Sequence, residues 1–191
     1  MPRPKGYNAD TALDRSIEAF WHTGYARTTV RTLTEAMGVP PRSLYQEFGD
    51  KDAVFVLSLE RYAQQNRRFY ERRLGTEPYG LAALRVYFEG IRYEEDFKGC
   101  FLVNSLAELE ILPQDAQAVV EDFYAWVQKL YRRHVEAAVQ AGAAAAETDV
   151  DGLSTALMVF DQGLAVMGKT PAQRKNLARA ATALLDAVMA D

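Results

Sequence analysis

Apolar residues recur at intervals of three and four along most of the chain, which is the spacing of amphipathic α-helices, and few stretches alternate as strands do. Glycine, proline and short polar runs separate these stretches. The pattern predicts helices at residues 9–23, 28–37, 41–48, 50–74, 80–93, 100–111, 114–141, 152–168 and 171–189. We therefore expect an all-α protein of about nine helices.

Two of the predicted helices are short and meet at a glycine. Thr28 is placed to cap the first of them, and Val30, Leu33 and Met37 lie on one face of it. Gly38 is expected to close this helix, because glycine adopts a left-handed backbone without strain.

The second short helix is expected to begin at Pro41, since proline suits the first position of a helix and cannot continue the preceding one. Leu44 and Phe48 are four residues apart and would face the core. Two short helices around a glycine turn, followed by a cation at Lys51, are typical of a helix-turn-helix that docks in a DNA groove.

The outward side chains of the second short helix are of types that suit DNA. Arginine pairs with guanine, glutamine pairs with adenine, and serine and tyrosine hydroxyls reach phosphate. These residues are Arg42, Ser43, Tyr45 and Gln46. The alternative for each residue alone is an ordinary solvated side chain, because any surface helix carries such residues. The ordered set is what indicates DNA.

Residues 10–57 resemble the DNA-binding region of the TetR family of bacterial transcriptional regulators. The resemblance rests on Phe20, Gly24-Tyr25, Thr28-Thr29-Val30, Ala36-Met37-Gly38-Val39, Ser43-Leu44-Tyr45, Phe48-Gly49, Lys51 and Phe55. It implies contacts to double-stranded operator DNA from Thr28, Thr29, Arg31, Arg42, Ser43, Tyr45, Gln46 and Lys51. Phosphate is the implied target of Thr29, Tyr45 and Lys51. Bases or backbone are the implied targets of Arg42, Ser43 and Gln46.

Two positions depart from the family pattern. Pro40 stands where a helix-capping serine is usual, and Arg42 stands where glycine is frequent. The first change removes a side-chain cap, and the second replaces close backbone approach with a long cation. DNA binding is still expected, with a sequence preference different from that of relatives that carry serine and glycine.

The distribution of charge agrees with a DNA-binding N-terminal region. The whole chain has a net charge of −4 and a pI near 5.3, which is low for a protein that binds nucleic acid. However, Met1–Gly75 carries twelve Lys and Arg against nine Asp and Glu, whereas Thr76–Asp191 carries ten against seventeen. Arg3 and Lys5 extend the basic region on an arm that would lie in solvent or reach a minor groove.

We expect a helix-turn-helix domain at residues 1–50 and a helical effector-binding and dimerisation domain at residues 51–191. The helix at 50–74 would connect them, and its acidic start and arginine-rich end suit the helix dipole. The segment GTEPY at residues 75–79 interrupts the helical pattern. The resemblance implies that a small-molecule effector in the C-terminal domain alters the tilt of the connecting helix.

The last two predicted helices are the expected dimer interface. The resemblance implies that they form a four-helix core with those of a second copy. Their apolar stripes contain Leu153, Leu157, Phe160, Leu164, Leu177, Ala181, Leu184, Leu185 and Val188. Which residues face the protomer's own interior and which face the partner stays open. Thr170, Pro171 and Gln173 predict a capped start for the final helix.

The resemblance also implies an effector pocket in the C-terminal domain. The candidate residues are Tyr62, Tyr87, Cys100, Phe101, Asn104, Phe123, Tyr124, Trp126 and Phe160. Aromatic residues at helical spacing are equally typical of a packed core, which is the alternative for most of them. Asn104 and Tyr124 would supply polar contacts in a pocket.

Cys100 lies in the segment Lys98 to Asn104, which resembles a stretch found in one branch of the family. The thiol is either a sensor of oxidants or electrophiles or an inert buried residue. Lys98 is the only cation near it in sequence, and no second cysteine is present to form a disulfide. The inert alternative is favoured.

No catalytic set is evident. His22 and His134 are far apart in the sequence, and neither belongs to a Glu-x-x-His pair. The run Glu94-Glu95-Asp96 is more typical of a solvated loop than of a cation site. No phosphate loop, nucleophile elbow or cysteine cluster is present, so we expect no enzyme activity, no metal and no cofactor.

No apolar run approaches the ~18 residues of a membrane span, and we expect a cytoplasmic protein with no membrane partner.

Two functional hypotheses remain. The first is a homodimeric transcriptional regulator, favoured as a repressor, that binds a palindromic operator and responds to a small molecule. The second is an all-helical interaction or sensing module whose altered Pro40-Pro41-Arg42 segment no longer binds DNA.

Overall fold

The structure is a computed structural model that describes residues 6–189. Within this range it contains nine α-helices and no strand, which confirms the all-α prediction. The helices are α1 (Ala9–Thr23), α2 (Val30–Met37), α3 (Pro41–Glu47), α4 (Lys51–Leu74), α5 (Leu81–Glu89), α6 (Phe101–Leu106), α7 (Gln114–Gln140), α8 (Val150–Met167) and α9 (Arg174–Met189). Single 3-10 turns precede α7 at Leu109–Ile111 and α9 at Pro171–Gln173.

Side-chain caps explain where three helices begin. Asn8 accepts a hydrogen bond from the Thr11 N–H at 3.0 Å and starts α1. Asp149 accepts one from the Gly152 N–H at 3.0 Å, so α8 begins two residues before the predicted start. Thr29 caps α2, and the prediction that Thr28 does so is wrong.

Three other predicted boundaries differ from the structure. Gly90 ends α5, which was expected to continue to residue 93. The predicted helix at 100–111 divides into α6 and a separate 3-10 turn. The predicted capping box at Thr170 is wrong, because the Thr170 side chain makes no cap hydrogen bond and the chain enters α9 through a 3-10 turn.

The described chain forms two compact units. The first contains the residues up to 65 together with 104–121, and the second contains 66–103 and 122 onward. This division differs from a boundary at residue 50, since it keeps the first part of α4 with the helix-turn-helix and adds the segment around the Leu109–Ile111 turn.

The first unit packs α1, α2 and α3 around a small apolar core. Leu33, Leu44 and Leu59 are fully buried, and the rings of Phe20 and Phe55 meet edge to face at 4.9 Å. The buried face of α3, which carries Leu44, packs against this core.

The second unit has its own core, in which α9 packs against α5. Tyr131, Leu157 and Leu185 are fully buried there. The His134 imidazole contacts the backbone at two positions. Its Nδ1 accepts a hydrogen bond from the Gly80 N–H at 3.0 Å, and its Nε2 lies 2.9 Å from the Leu74 carbonyl oxygen. The chain between α4 and α5 is therefore anchored to α7.

Candidate nucleic-acid interface

The turn between α2 and α3 is closed by backbone hydrogen bonds around Gly38. Gly38 has φ +68° and ψ +33°, the left-handed conformation that glycine was expected to adopt here. Its N–H donates to the Glu35 carbonyl, and the next N–H, of Val39, donates to Thr34 at 3.1 Å. Val39 is buried, so the turn is pinned to the core that supports α3.

Helix α3 begins without a side-chain cap, as expected from the proline that replaces serine. The Pro40 carbonyl instead accepts hydrogen bonds from the N–H groups of Ser43 and Leu44 at 2.9 and 3.1 Å. Pro41 occupies the first position, where its missing N–H leaves no hydrogen bond unmade. Leu44 and Phe48 are buried, which confirms the predicted inner face.

The opposite face of α3 is open. Arg42, Tyr45 and Gln46 are exposed, and the Tyr45 side chain keeps 56% of its surface accessible. Within residues 6–189, none of these three side chains makes a hydrogen bond or ion pair. Ser43 is half-buried on the flank of the helix. The polar groups of α3 are therefore available to an external partner.

The residues at the start of α2 divide into one buried and two exposed positions. Thr28 is buried, and its hydroxyl donates to the Gly24 carbonyl at 2.6 Å, so the contact of Thr28 with DNA stays a prediction. Thr29 is exposed, and its hydroxyl accepts from the Thr32 N–H as the cap of α2. Arg31 is exposed and forms an ion pair with Glu35 at 3.0 Å.

Lys51 is engaged with Tyr25. Its ammonium donates to the Tyr25 carbonyl at 3.1 Å and lies 4.0 Å from the centre of the Tyr25 ring. The Tyr25 hydroxyl in turn donates to Asp52 at 2.6 Å. Partial burial is the larger cause, and the hydrogen bond to Asp52 the next, that raise the pKa of Tyr25 to about 12.

The predicted basic arm is not described, because Arg3 and Lys5 lie outside residues 6–189.

The loop between α1 and α2 is also held by Glu108, which the sequence did not single out. The Glu108 carboxylate accepts hydrogen bonds from the N–H groups of Tyr25 at 2.7 Å and Ala26 at 3.4 Å. Gly24 permits this approach, because a Cβ at that position would stand 2.9 Å from a Glu108 oxygen. No local sequence signal marks a contact across 83 residues.

Several of the predicted effector-pocket residues lie together in the second unit. The Tyr70 ring contacts Tyr87, Phe123 and Trp126, with ring centres 5.9 to 6.3 Å apart. Tyr124 lies against Phe123. Of the other predicted residues in that unit, Phe160 packs on Phe88, Phe101 is buried and Cys100 is half-buried. Tyr62 and Asn104 belong to the first unit, where Tyr62 packs on Trp21.

The polar centre of this aromatic cluster is Asp161, which is not among the residues predicted from the sequence. The hydroxyls of Tyr70 and Tyr87 both donate to its carboxylate, the latter at 2.9 Å. Burial raises the pKa of Asp161, and the phenols of Tyr70, Tyr87 and Tyr131 oppose that rise by stabilising its charge. An acidic residue within the apolar stripe of α8 is the signal that could have revealed it.

The predicted dimer residues face mainly inward in the protomer. Leu157, Leu164, Ala181 and Leu185 are buried within the protomer, and their place in an intermolecular interface stays a prediction. Leu153, Phe160, Leu177, Leu184 and Val188 are half-buried. The large apolar side chains that α8 exposes are Val159, Val166 and Met167.

The geometry defines a helix-turn-helix protein of the kind that binds DNA. The chain belongs to the TetR family of bacterial transcriptional regulators: the family model described as "Bacterial regulatory proteins, tetR family" matches residues 12–56, and the model described as "Tetracyclin repressor-like, C-terminal domain" matches residues 81–184. The protein is thus a DNA-binding transcriptional regulator, as the resemblance implied.

Similar proteins cover nearly the whole chain. The transcriptional repressor ComR of Escherichia coli (strain K12) is 27% identical over 180 residues, which are 92% of this chain and 86% of ComR. A cysteine mutant of the TetR family regulator CifR, solved with 26-base-pair operator DNA, is 30% identical with a TM-score of 0.81 and covers 97% of this chain and 99% of its own. Reduced E. coli NemR shares the fold at 20% identity and a TM-score of 0.77, covering 94% of this chain and 96% of NemR.

Residues 6–189 contain no candidate for a membrane span or a metal centre. No helix there is both long and apolar enough to cross a membrane. No group of three or more His, Cys, Asp or Glu side chains in the same range is arranged to hold a metal ion.

Proposed function

We propose that the protein is a homodimeric, non-catalytic repressor that acts in the cytoplasm, binds a palindromic operator and is modulated by a small molecule. The observation that carries the proposal is the open face of α3, where Arg42, Tyr45 and Gln46 project from a helix whose inner face is buried. An α-helix of this kind enters the major groove, where base edges distinguish all four base pairs.

Different side chains would contribute affinity and specificity. Arg42 can donate two hydrogen bonds to guanine, and Gln46 can pair with adenine, so these two would set sequence preference. Tyr45 and Thr29 would contact phosphate and position the helix. Lys51 has three donors, of which one serves the Tyr25 carbonyl, so it can still reach phosphate.

A dimer would follow from the exposed apolar side of α8 and α9. Val159, Val166 and Met167 on α8 are exposed, and Ala180, Ala183 and Ala187 are exposed on α9. Packing these faces against a second copy would bury apolar surface. Two α3 helices about 34–36 Å apart would then match successive major grooves, which explains why the operator is expected to be palindromic. The similar regulator CifR was solved with 26-base-pair double-strand operator DNA, which supports operator binding by this chain.

The effector is proposed to bind in the second unit near the aromatic residues around Tyr70. These rings provide apolar surface, and Asp161 provides a polar acceptor among them. An effector at this site would alter DNA binding only in proportion to its preference for one of two protein conformations.

The test is fluorescence anisotropy with labelled DNA from the intergenic region beside the gene, at several salt concentrations. Wild-type affinity is expected to fall steeply with salt because bound phosphates release counterions. Tyr45→Phe should weaken binding to all sequences, whereas Arg42→Ala should cost about 1–3 kcal/mol at one base pair and relax preference there.

Arg68→Ala is the matched control, since Arg68 is an exposed arginine of α4 outside the helix-turn-helix. Its operator affinity should equal that of the wild type. Salt-insensitive binding, or equal binding by Arg42→Ala and wild type to every base-pair variant of the site, would support the non-DNA-binding helical module instead.

A further inference from the structure

The second unit contains a solvent-open cavity of about 460 Å³ between α5, α8 and α9. This volume lies in the range of roughly 300–1,000 Å³ that is usual for small-ligand sites. Its floor is apolar and consists of Phe88, Leu164, Leu177 and Ala181. Three of these four side chains are buried, so the floor is part of a packed core and does not need a ligand to form.

The rim of the cavity is cationic. Arg92, Arg174 and Lys175 line it, against a single carboxylate, that of Glu89. Glu89 is partly neutralised by Arg85, whose guanidinium lies 3.6 Å away. This concentration of positive charge stands in the acidic part of the chain, where carboxylates outnumber cations.

Neutral groups hold both arginines in place. Arg92 donates to the carbonyls of Glu89 and Ile91 at 2.6 and 2.8 Å. Arg174 donates to the Gly168 carbonyl at 2.9 Å. Within residues 6–189, no carboxylate pairs with Arg92, Arg174 or Lys175. Their charges are thus positioned but not neutralised, and each arginine retains unused donors for an anion.

We propose that this cavity binds an organic anion, a carboxylate attached to an apolar aliphatic or aromatic body. The apolar body would cover the floor, and the carboxylate would accept charge-assisted hydrogen bonds from the rim, where arginine binds both oxygens at once. The inference goes beyond the proposed function, because it assigns a cavity whose lining does not include Tyr70 or Asp161 and does not depend on DNA binding.

The cavity would remain open in the proposed dimer. Lys175 and Thr182, seven residues apart, lie on the flank of α9 that faces α5 and line the cavity. Ala180, Ala183 and Ala187 are exposed and lie about 120° around the helix from the Lys175 side. A second copy packed on that side leaves the rim accessible.

The test is isothermal titration of the full-length protein without DNA, using sodium octanoate, octan-1-ol and octylammonium as probes that share one apolar chain. Octanoate is expected to bind saturably at one site per chain and at least about tenfold more tightly than either other probe. The octanoate affinity should fall as salt is added. Equal affinity of octanoate and octan-1-ol would overturn the proposal.

Substitutions of the lining cations test whether octanoate binds in this cavity. Arg92→Gln combined with Lys175→Gln should weaken octanoate binding at least about tenfold, while Lys129→Gln, an exposed lysine on α7, should leave it unchanged. Lys175→Glu alone changes only an exposed side chain and should also weaken binding. Octanoate affinity unaffected by Lys175→Glu and by the double variant, in protein with a wild-type thermal melt, would place the probe elsewhere and refute the site.

Discussion

The Glu108 carboxylate accepts a 2.7 Å hydrogen bond from the backbone N–H of Tyr25. This bond, together with a longer one from Ala26, ties the loop between α1 and α2 to the segment that follows α6. A carboxylate satisfies these N–H groups well, because hydrogen bonds to charged acceptors are stronger than those between neutral groups.

Glu108→Ala should lower the free energy of unfolding by about 1 kcal/mol, because the two N–H groups lose their acceptor while water reaches the half-buried site. Urea denaturation measures the change. Glu110→Ala is the control, since Glu110 is exposed two residues away. Equal stability of the two variants would show that the Glu108 contact contributes nothing.

Gly24→Ala should destabilise the protein by about 2 kcal/mol or more. Its φ of +80° with ψ +166° is strained for any residue with a Cβ, and the new Cβ would displace the Glu108 carboxylate. In the Gly24→Ala background, Glu108→Ala should therefore cost almost nothing. A double-mutant cycle in urea measures this coupling, and strictly additive costs would contradict it.

Val159→Asp should convert the proposed dimer into a monomer. Val159 is 60% exposed on α8, and a partner would have to bury the new carboxylate without a counter-ion. Sedimentation equilibrium should show the dissociation constant of the dimer raised at least about tenfold.

Val86→Asp is the matched control, because Val86 is 72% exposed on α5, away from the proposed interface. It should remain dimeric at the concentrations at which Val159→Asp dissociates. If Val159→Asp dimerises as tightly as wild type, the interface lies on another surface.

His134 should make stability rise with pH. Burial lowers the pKa of His134 below the ordinary 6.5, because it disfavours the charged imidazolium by more than the backbone contacts to Leu74 and Gly80 favour it. The unfolded chain binds a proton here as the pH falls through 6.5, whereas the folded chain does so only at lower pH. Stability from this histidine is therefore present above pH 6.5 and is lost as the pH falls below it.

Urea unfolding at about pH 5 and about pH 7.5 measures this dependence. His134→Gln should be less stable than wild type at the higher pH and should show a smaller difference between the two. His22→Gln, which changes an exposed histidine of α1, should keep the wild-type difference. A His134→Gln profile parallel to that of wild type would argue against the linkage.

We expect Asp161 to stabilise the fold as a hydrogen-bond acceptor more than as a negative charge. Asp161→Ala leaves the buried hydroxyls of Tyr70 and Tyr87 without their partner and should cost about 2–4 kcal/mol of unfolding free energy. Asp161→Asn keeps one oxygen acceptor, the second phenol can rotate its hydroxyl to accept from the new amide NH2, and the cost of burying charge is removed, so its effect should be under about 1 kcal/mol. Denaturation at neutral pH compares them, and equal losses would contradict this ranking.

The local sequence pattern was sufficient to predict the helix-turn-helix formed by α2 and α3. The apolar spacing of α2, the glycine at Gly38 and the proline at Pro41 act within a few residues of one another, so they could be interpreted before any tertiary contact was known. The same pattern predicted the buried face of α3 and hence its outward polar side chains. It could not separate Thr28 from Thr29, because both are good caps and only the fold buries one of them.

Contacts between residues far apart in the sequence determined the features that the local pattern did not predict. The Glu108 bond to Tyr25, the tyrosines around Asp161 and the cations that surround the cavity beside α9 join residues far apart in the chain. Helical periodicity specifies a face of a helix but not the neighbour that covers it, which is why Leu157 and Ala181 were assigned to a partner although the protomer buries them itself. Residue order therefore determined the helices, and packing alone decided what each face contacts.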